Sequence, residues 1–280
     1  MKRMRSVRDK LGRPLEIPVE PQRVISLCPS QTETLLCLGL GERLVGRTRY
    51  CIHPADQVSK IPVVGGTKKI DAALVAELQP DLIIAEKEEN TQSDVEKLSE
   101  IAPVYVTNIE SYRDALESII ELGDIVGCLT TAYQWKEKIA QAFARLSPIP
   151  TPKSVLYLIW RKPYMAAGKS TFIDSILSYL GLQNIAHSLE GRYPTLDKPE
   201  NLFPEFVFLS TEPYPFTEKH IPELQAIWPE AAYFIVRGDY FSWYGVRMVE
   251  AASYFQRLLR DLSGADSGMA AGRASWTEPR

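Results

Sequence analysis

A chain of 280 residues, 45% hydrophobic and with a net charge of −3, holds enough apolar material for two cores and lacks the basic surplus of a nucleic-acid-binding protein. No apolar run approaches the roughly 18 residues that a membrane-crossing helix needs. Residues 1–20, MKRMRSVRDKLGRPLEIPVE, are basic but have neither an apolar centre nor a small-residue cleavage site. That excludes a signal peptide, so the chain as given is expected in the cytoplasm, or in the periplasm or outside the cell if a leader was removed. Cys28, Cys37, Cys51 and Cys128 show no metal-finger spacing and no dense disulfide framework, which favours buried free thiols.

Residues 1–22 read as an extended polar arm, kept from helix by Pro14, Pro18 and Pro21. The apolar run 23–27 predicts a strand. The loop CPSQTE follows, where Ser30 or Thr32 can cap a helix and Glu33 favours the positive end of its dipole. Loop amides at such a helix start can equally face a ligand, because ligands gather at the carboxyl ends of strands in open α/β sheets. A short strand at 44–46 delivers Arg47, Arg49, Tyr50, Cys51 and His53 into a loop. Gly65-Gly66 marks a turn or a close backbone approach before Thr67, Lys68 and Lys69. A helix is predicted at 71–78, a strand at 82–86 ending in Lys87-Glu88-Glu89-Asn90, a helix at 91–100, a strand at 104–107 and a helix at 112–122.

Residues 128–147 carry apolar positions near helical spacing with no Gly or Pro before Pro148, and predict one long connecting helix. Beyond it the order repeats. Strand 154–160 ends in Trp160 and Arg161. The segment 172–182 ends in Leu180-Gly181-Leu182, as the first ends in Leu38-Gly39-Leu40. Strands follow at 206–210 and 233–236, then a loop with Arg237, Asp239, Tyr240 and Trp243, and a helix at 245–262. Gly168-Lys169-Ser170-Thr171 is not a phosphate loop, because the required earlier glycine is Pro163. Strand, helix, strand, helix, strand, twice in one order, predicts two Rossmann-like α/β lobes at 23–127 and 148–262, joined by a single long helix. Residues 263–280 have no period and are expected to form a disordered tail.

Several stretches resemble the helical-backbone metal-chelate receptors, the substrate-binding proteins of ABC importers for cobalamin, ferric siderophores and haem. They are GRPLEIPVEPQRVISLCPSQTETLLCLGLGERLVGRTRYCIHP, VGGTKKID, ELQPDLIIAEKEEN, AAGKSTFIDSILSYLGLQNIA and VRGDYFSWYGVRMVEAASYF, in order over about residues 11 to 260. The resemblance implies the class III periplasmic-binding-protein fold, with the ligand in the cleft between two lobes and no intrinsic cofactor. The pattern is nearest to the cobalamin-binding branch. There Tyr50 matches an aromatic that contacts the corrin, Tyr193 a cleft tryptophan, and Asp239 an acidic residue at the ligand's edge. Glu86 stands where that branch has tryptophan, and Trp243 where it has arginine. The resemblance also implies docking to an ABC permease through one glutamate on each lobe. The first position is Ala73, which cannot form an ion pair, and the second is Asp197 or Glu200.

Collecting the strand ends yields a candidate ligand set of Ser30, Arg49, Tyr50, Lys68, Lys87, Trp160, Arg161, Tyr193, Arg237, Asp239, Tyr240 and Trp243. Cationic donors beside flat aromatic faces suit a planar or chelated, anionic ligand. His53, His187 and His220 lie far apart in sequence and supply no local metal pair, so no protein-held metal is expected. Ser30, His53 and Asp71 have no nucleophile-elbow pattern around them, so no catalysis is expected. The expected function is a monomeric, non-enzymatic binding protein for a cobalamin-like corrinoid or ferric siderophore, serving ABC-type uptake. The alternative is an intracellular enzyme or ligand-handling protein on the same scaffold, without a transporter partner.

Overall fold

A computed structural model describes residues 3–266. The chain forms two compact units. The first holds the residues up to Ile109, Arg113–Gln141 and Trp243–Met248. The second holds Glu110–Tyr112, Ala142–Ser242 and the residues from Val249 onward. A single boundary at the connecting helix, as expected from the repeat, therefore does not describe the units. The segment Trp243–Met248 returns to the first.

In the first unit, β1 (Met4–Arg8) and β2 (Pro14–Pro18) form an antiparallel hairpin. The elements β3 (Val24–Ser26), α1 (Pro29–Cys37), β4 (Leu44–Arg47), α2 (Ala55–Val58), α3 (Ala72–Glu77), β5 (Leu82–Glu86), α4 (Gln92–Ser99), β6 (Val104–Thr107) and α5 (Tyr112–Ile125) follow. Their sheet is parallel, in the order β4-β3-β5-β6. Every residue of β5 is buried, which is why LIIAE reads as a continuous run and not as an alternation. Ile25, Leu27, Val64, Val75, Ile83, Ala85, Leu98, Val104 and Val106 build the core.

The N-terminal residues are not a free extended arm. The hairpin tip lies against β6, the edge strand. Lys10 N–H donates to the Val106 carbonyl at 3.1 Å, Val106 N–H donates to Asp9 Oδ2 at 3.4 Å, and Arg13 donates to the Val104 carbonyl at 2.9 Å. Backbone groups that an edge strand would leave open are thereby satisfied. The Asp9 side chain is fully buried and also accepts from the Leu11 and Arg13 N–H groups at 3.0 Å each.

Helix α6 (Leu129–Ala144) carries the chain from the first unit into the second, with Gln141 the last of its residues in the first. It is shorter than 128–147. Arg145 and Leu146 bond back three residues, a tightened last turn ahead of Pro148. The second unit continues with β7 (Lys153–Trp160), β8 (Met165–Ala166), α7 (Phe172–Tyr179), β9 (Leu182–Asn184), β10 (Phe206–Ser210), α8 (Ile221–Gln225), β11 (Ala232–Val236), α9 (Gly238–Ser242) and α10 (Met248–Asp266). Strands β11, β10, β7 and β9 run parallel, and β8 pairs antiparallel with β7.

The predicted helix 245–262 is instead a 3₁₀ turn, Gly245–Arg247, followed by α10. Residues 263–266, assigned to the tail, belong to that helix, and the rest of the tail lies outside the described residues. All four cysteines are free. Cys28 and Cys51 are buried, while Cys37 and Cys128 are half-buried.

Candidate functional site

The candidate ligand residues divide between the units. Ser30, Arg49, Tyr50, Lys68, Lys87 and Trp243 fall in the first. Trp160, Arg161, Tyr193, Arg237, Asp239 and Tyr240 fall in the second.

In the first unit they gather beyond the carboxyl ends of β3, β4 and β5. Helix α1 has Pro29 in its first turn and no side-chain cap, so neither Ser30 nor Thr32 caps it. Ser30 is buried and its carbonyl accepts from Thr34 Oγ1 at 2.8 Å. Thr32 donates to Ser26 Oγ at 2.8 Å and lies 3.0 Å from the Cys51 sulfur. Glu33, expected to serve the helix dipole, instead takes both arms of Arg247 at 2.8 Å each. Tyr50 is 54% exposed and covers Gly66 together with Arg49. A Cβ at position 66 would lie 3.3 Å from Tyr50 Cε2 and 3.7 Å from Arg49 Nε. Of the two glycines, Gly66 faces these candidate side chains, whereas Gly65, at φ +128°, approaches the Lys69 carbonyl within a turn. Lys68 Nζ donates to the Glu88 carbonyl, and Lys87 is exposed.

The end of β5 holds a buried carboxyl that the list of candidates omits. Glu86 Oε2 accepts from the Glu88 N–H at 2.6 Å and the Glu89 N–H at 3.0 Å. Its Oε1 has no partner among the described residues, and neither has Gln31 Oε1. Burial pushes the Glu86 carboxyl up to about 7 against the pull of those two amides, and the nearby Glu88 and Glu89 charges raise it further. Cys28 Sγ and Tyr244 Oη lie 3.5 Å apart, and burial pushes both groups well up. Burial thus favours the protonated thiol of Cys28.

In the second unit, Trp160 ends β7 with 41% of its surface exposed and meets Tyr214 edge-on at 5.7 Å. Arg161 forks onto Glu223 at 2.6 and 2.5 Å, and Tyr164 donates to the same carboxylate. These donors hold Glu223 down at about 2. Arg237 forks onto Asp239 at 2.9 and 2.7 Å and lies 4.8 Å over the Tyr240 ring. Both arginines therefore already face a carboxylate, which weakens the expectation that they meet an anionic ligand as bare charges. Tyr193 is 38% exposed. Glu223, Tyr214, Gln31 and Arg247 went unnoticed as site residues. Only the run Pro213-Tyr214-Pro215 directly after β10 could have flagged one of them.

Asp71 caps α3 by accepting from the Leu74 N–H at 3.1 Å, which explains it without a triad. Among the described residues no group of three His, Cys, Asp or Glu side chains could hold a metal ion, and no helix is long and apolar enough to cross a membrane. A surface concavity of about 350 Å³ beside the hairpin is lined by Val7, Tyr105 and Glu121 among others, and by none of the candidate ligand residues.

A family model described as periplasmic binding protein matches residues 24–205. The vitamin B12-binding protein of Pectobacterium carotovorum subsp. carotovorum (strain PC1) is 26% identical over 258 residues, covering 88% of this chain and 91% of that protein. An uncharacterised ABC transporter substrate-binding lipoprotein of Bacillus subtilis (strain 168), YvrC, is 27% identical over 197 residues, 66% of this chain and 62% of that protein. Among solved structures, the periplasmic vitamin B12 binding protein BtuF of Vibrio cholerae superposes with a TM-score of 0.70 at 22% identity, covering 88% of this chain and 99% of that one. The periplasmic haem-binding protein RhuT from Roseiflexus sp. RS-1 reaches 0.71 at 19% identity, covering 86% and 98%. At these identities the superpositions speak for the fold.

Proposed function

Because the chain belongs to the periplasmic binding protein family, we propose that it is a substrate-binding protein for a planar metal chelate, a corrinoid or haem, in ABC-type uptake. The observation that carries this reading is the exposed aromatic faces of Tyr50, just beyond β4 in the first unit, and of Trp160 at the end of β7 in the second, with Tyr193 exposed in the loop between β9 and β10. Large aromatic side chains are ordinarily buried, and flat macrocycles are held by stacking on such faces. Relatives named for vitamin B12 and solved folds named for vitamin B12 and haem support the same ligand class. The charges favour a ligand of mixed edge. Arg161 and Arg237 are matched by Glu223 and Asp239, so the rim offers acceptors beside its donors.

Permease docking is proposed with one acidic contact rather than two. Ala73 is exposed on α3 and carries no charge, whereas Asp197 and Glu200 are exposed on the second unit. Ala73→Glu should then raise the stimulation of a cognate transporter's ATPase. A loss of stimulation by this variant would count against docking through α3.

The test of the binding reading is a thermal-shift panel with cobalamin, cobinamide, haem and ferric catecholate, hydroxamate and citrate complexes. A ligand at a hundred times its Kd should add roughly 2.7 kcal/mol of stability. The hit should weaken at least tenfold on Tyr50→Ala or Trp160→Ala. A panel with no shift on folded, ligand-free protein would overturn the reading.

A further inference from the structure

The segment Trp243–Met248 belongs to the first unit, although Ser242 before it and Val249 after it belong to the second. Six residues that group with the first unit rather than with their sequence neighbours need specific contacts there, and the structure supplies them. Arg247 Nε and Nη2 each donate to Glu33 at 2.8 Å, a two-pronged pair whose side chains are 5% and 11% exposed. Val246 N–H donates to Thr34 Oγ1 at 3.4 Å. Tyr244 meets Cys28, and Gly245 has φ +84° with no room for a Cβ beside Thr34. The Arg247 guanidinium then lies 5.2 Å over the Trp243 ring, and the His53 ring meets that indole edge-on at 5.7 Å.

We infer that Glu33 and Arg247 are positioning residues which hold the Trp243 indole in the ligand-binding wall of the first unit. The inference rests on the binding function proposed above. A planar guanidinium fixed by a carboxylate fork presents one flat face, and an aromatic ring stacks on that face in one orientation. Lysine cannot reproduce this, because its ammonium is a point charge on a flexible stem. Glu33 thus acts on the ligand only through Arg247, and Arg247 through Trp243. The three stretches 28–34, 47–53 and 243–247 form one wall because this ion pair closes it.

The experiment uses the full chain labelled with 5-fluorotryptophan, with the Trp243 resonance assigned from its loss in Trp243→Phe. Ligand affinity is measured for whichever panel member binds. Removing one partner of a buried pair risks unfolding, so the main variant is the double replacement Glu33→Met with Arg247→Met, which leaves no buried charge. The second is Arg247→Lys. Both should shift the Trp243 resonance and leave those of Trp135 and Trp228 in place. Both should weaken the ligand at least tenfold, with no further loss when Trp243→Ala is added. An unmoved Trp243 resonance overturns the inference, as does a moved resonance with affinity unchanged within twofold. Should the unaltered protein bind nothing in the panel, the binding reading fails by itself, and the resonance still decides whether the pair holds Trp243.

Discussion

Glu86 shows what a single buried carboxyl imposes. Its folded value of about 7 lies above the ordinary 4.5, so the folded state binds its proton more tightly than the unfolded state does. The stability it contributes is complete below 4.5 and is lost as pH rises through 7. Across that window the loss amounts to about 3 kcal/mol at most. Glu86→Gln keeps the shape without the charge. Urea unfolding should therefore find the variant close to the parent at pH 5 and more stable by about 2–3 kcal/mol at pH 8. Equal differences at the two pH values would show that burial does not govern this carboxyl. Exposed aromatics such as Tyr50 and Trp160 are legible because they follow apolar strands. The partners that neutralise the arginines are not, because Glu223 is 62 positions from Arg161 and no local pattern links them.

Among the elements, β5, β6 and β10 keep the bounds expected of them. Each is a short apolar run buried throughout, introduced by Pro-Asp, by Pro103 and by Pro-Glu respectively. Strands β8 and β9, of two and three residues, are too short to show a period. The N-terminal hairpin escaped because its prolines sit at the two ends of β2, where a strand tolerates them. Its role predicts a cost. Asp9→Ala removes an acceptor for the Val106 N–H and leaves Arg13 without its carboxylate, so stability should fall by about 2–3 kcal/mol. Hydrogen exchange should quicken first at Val106. Protection confined to its present level would mean that the hairpin does not seal β6. In the 3₁₀ turn before α10, Gly245→Ala meets both a left-handed backbone and Thr34 Oγ1 at 2.1 Å from the new Cβ. A loss of about 2–3 kcal/mol is expected, with part restored by Thr34→Ala, which removes the collision but not the backbone strain.

Over the whole molecule, the first unit is not a contiguous piece of chain, and that has a measurable consequence. A fragment of residues 1–141 lacks Trp243–Met248 and so lacks the arginine that matches Glu33. In the full chain, Glu33→Gln should destabilise, because it breaks a buried pair. In the fragment the segment that covers Glu33 is gone and its charge meets solvent, so the same substitution should be nearly neutral, within about 0.5 kcal/mol. A loss in the full chain alone is the expected outcome; an equal loss in both chemical denaturation series would show that the pair with Arg247 is not what Glu33 contributes.

Two parallel α/β sheets, the helix that passes from one unit to the other and the family membership were legible in the chain, since each depends on local hydrophobic period, Pro and Gly punctuation and short motifs. The return of 243–248 to α1, the sealing of β6 by the hairpin and the pairing of Arg247 with Glu33 across 214 positions were not. Those depend on which distant groups must share a buried, low-dielectric space, and the cost of leaving a charge or a backbone amide unmatched there is paid only once the chain has folded.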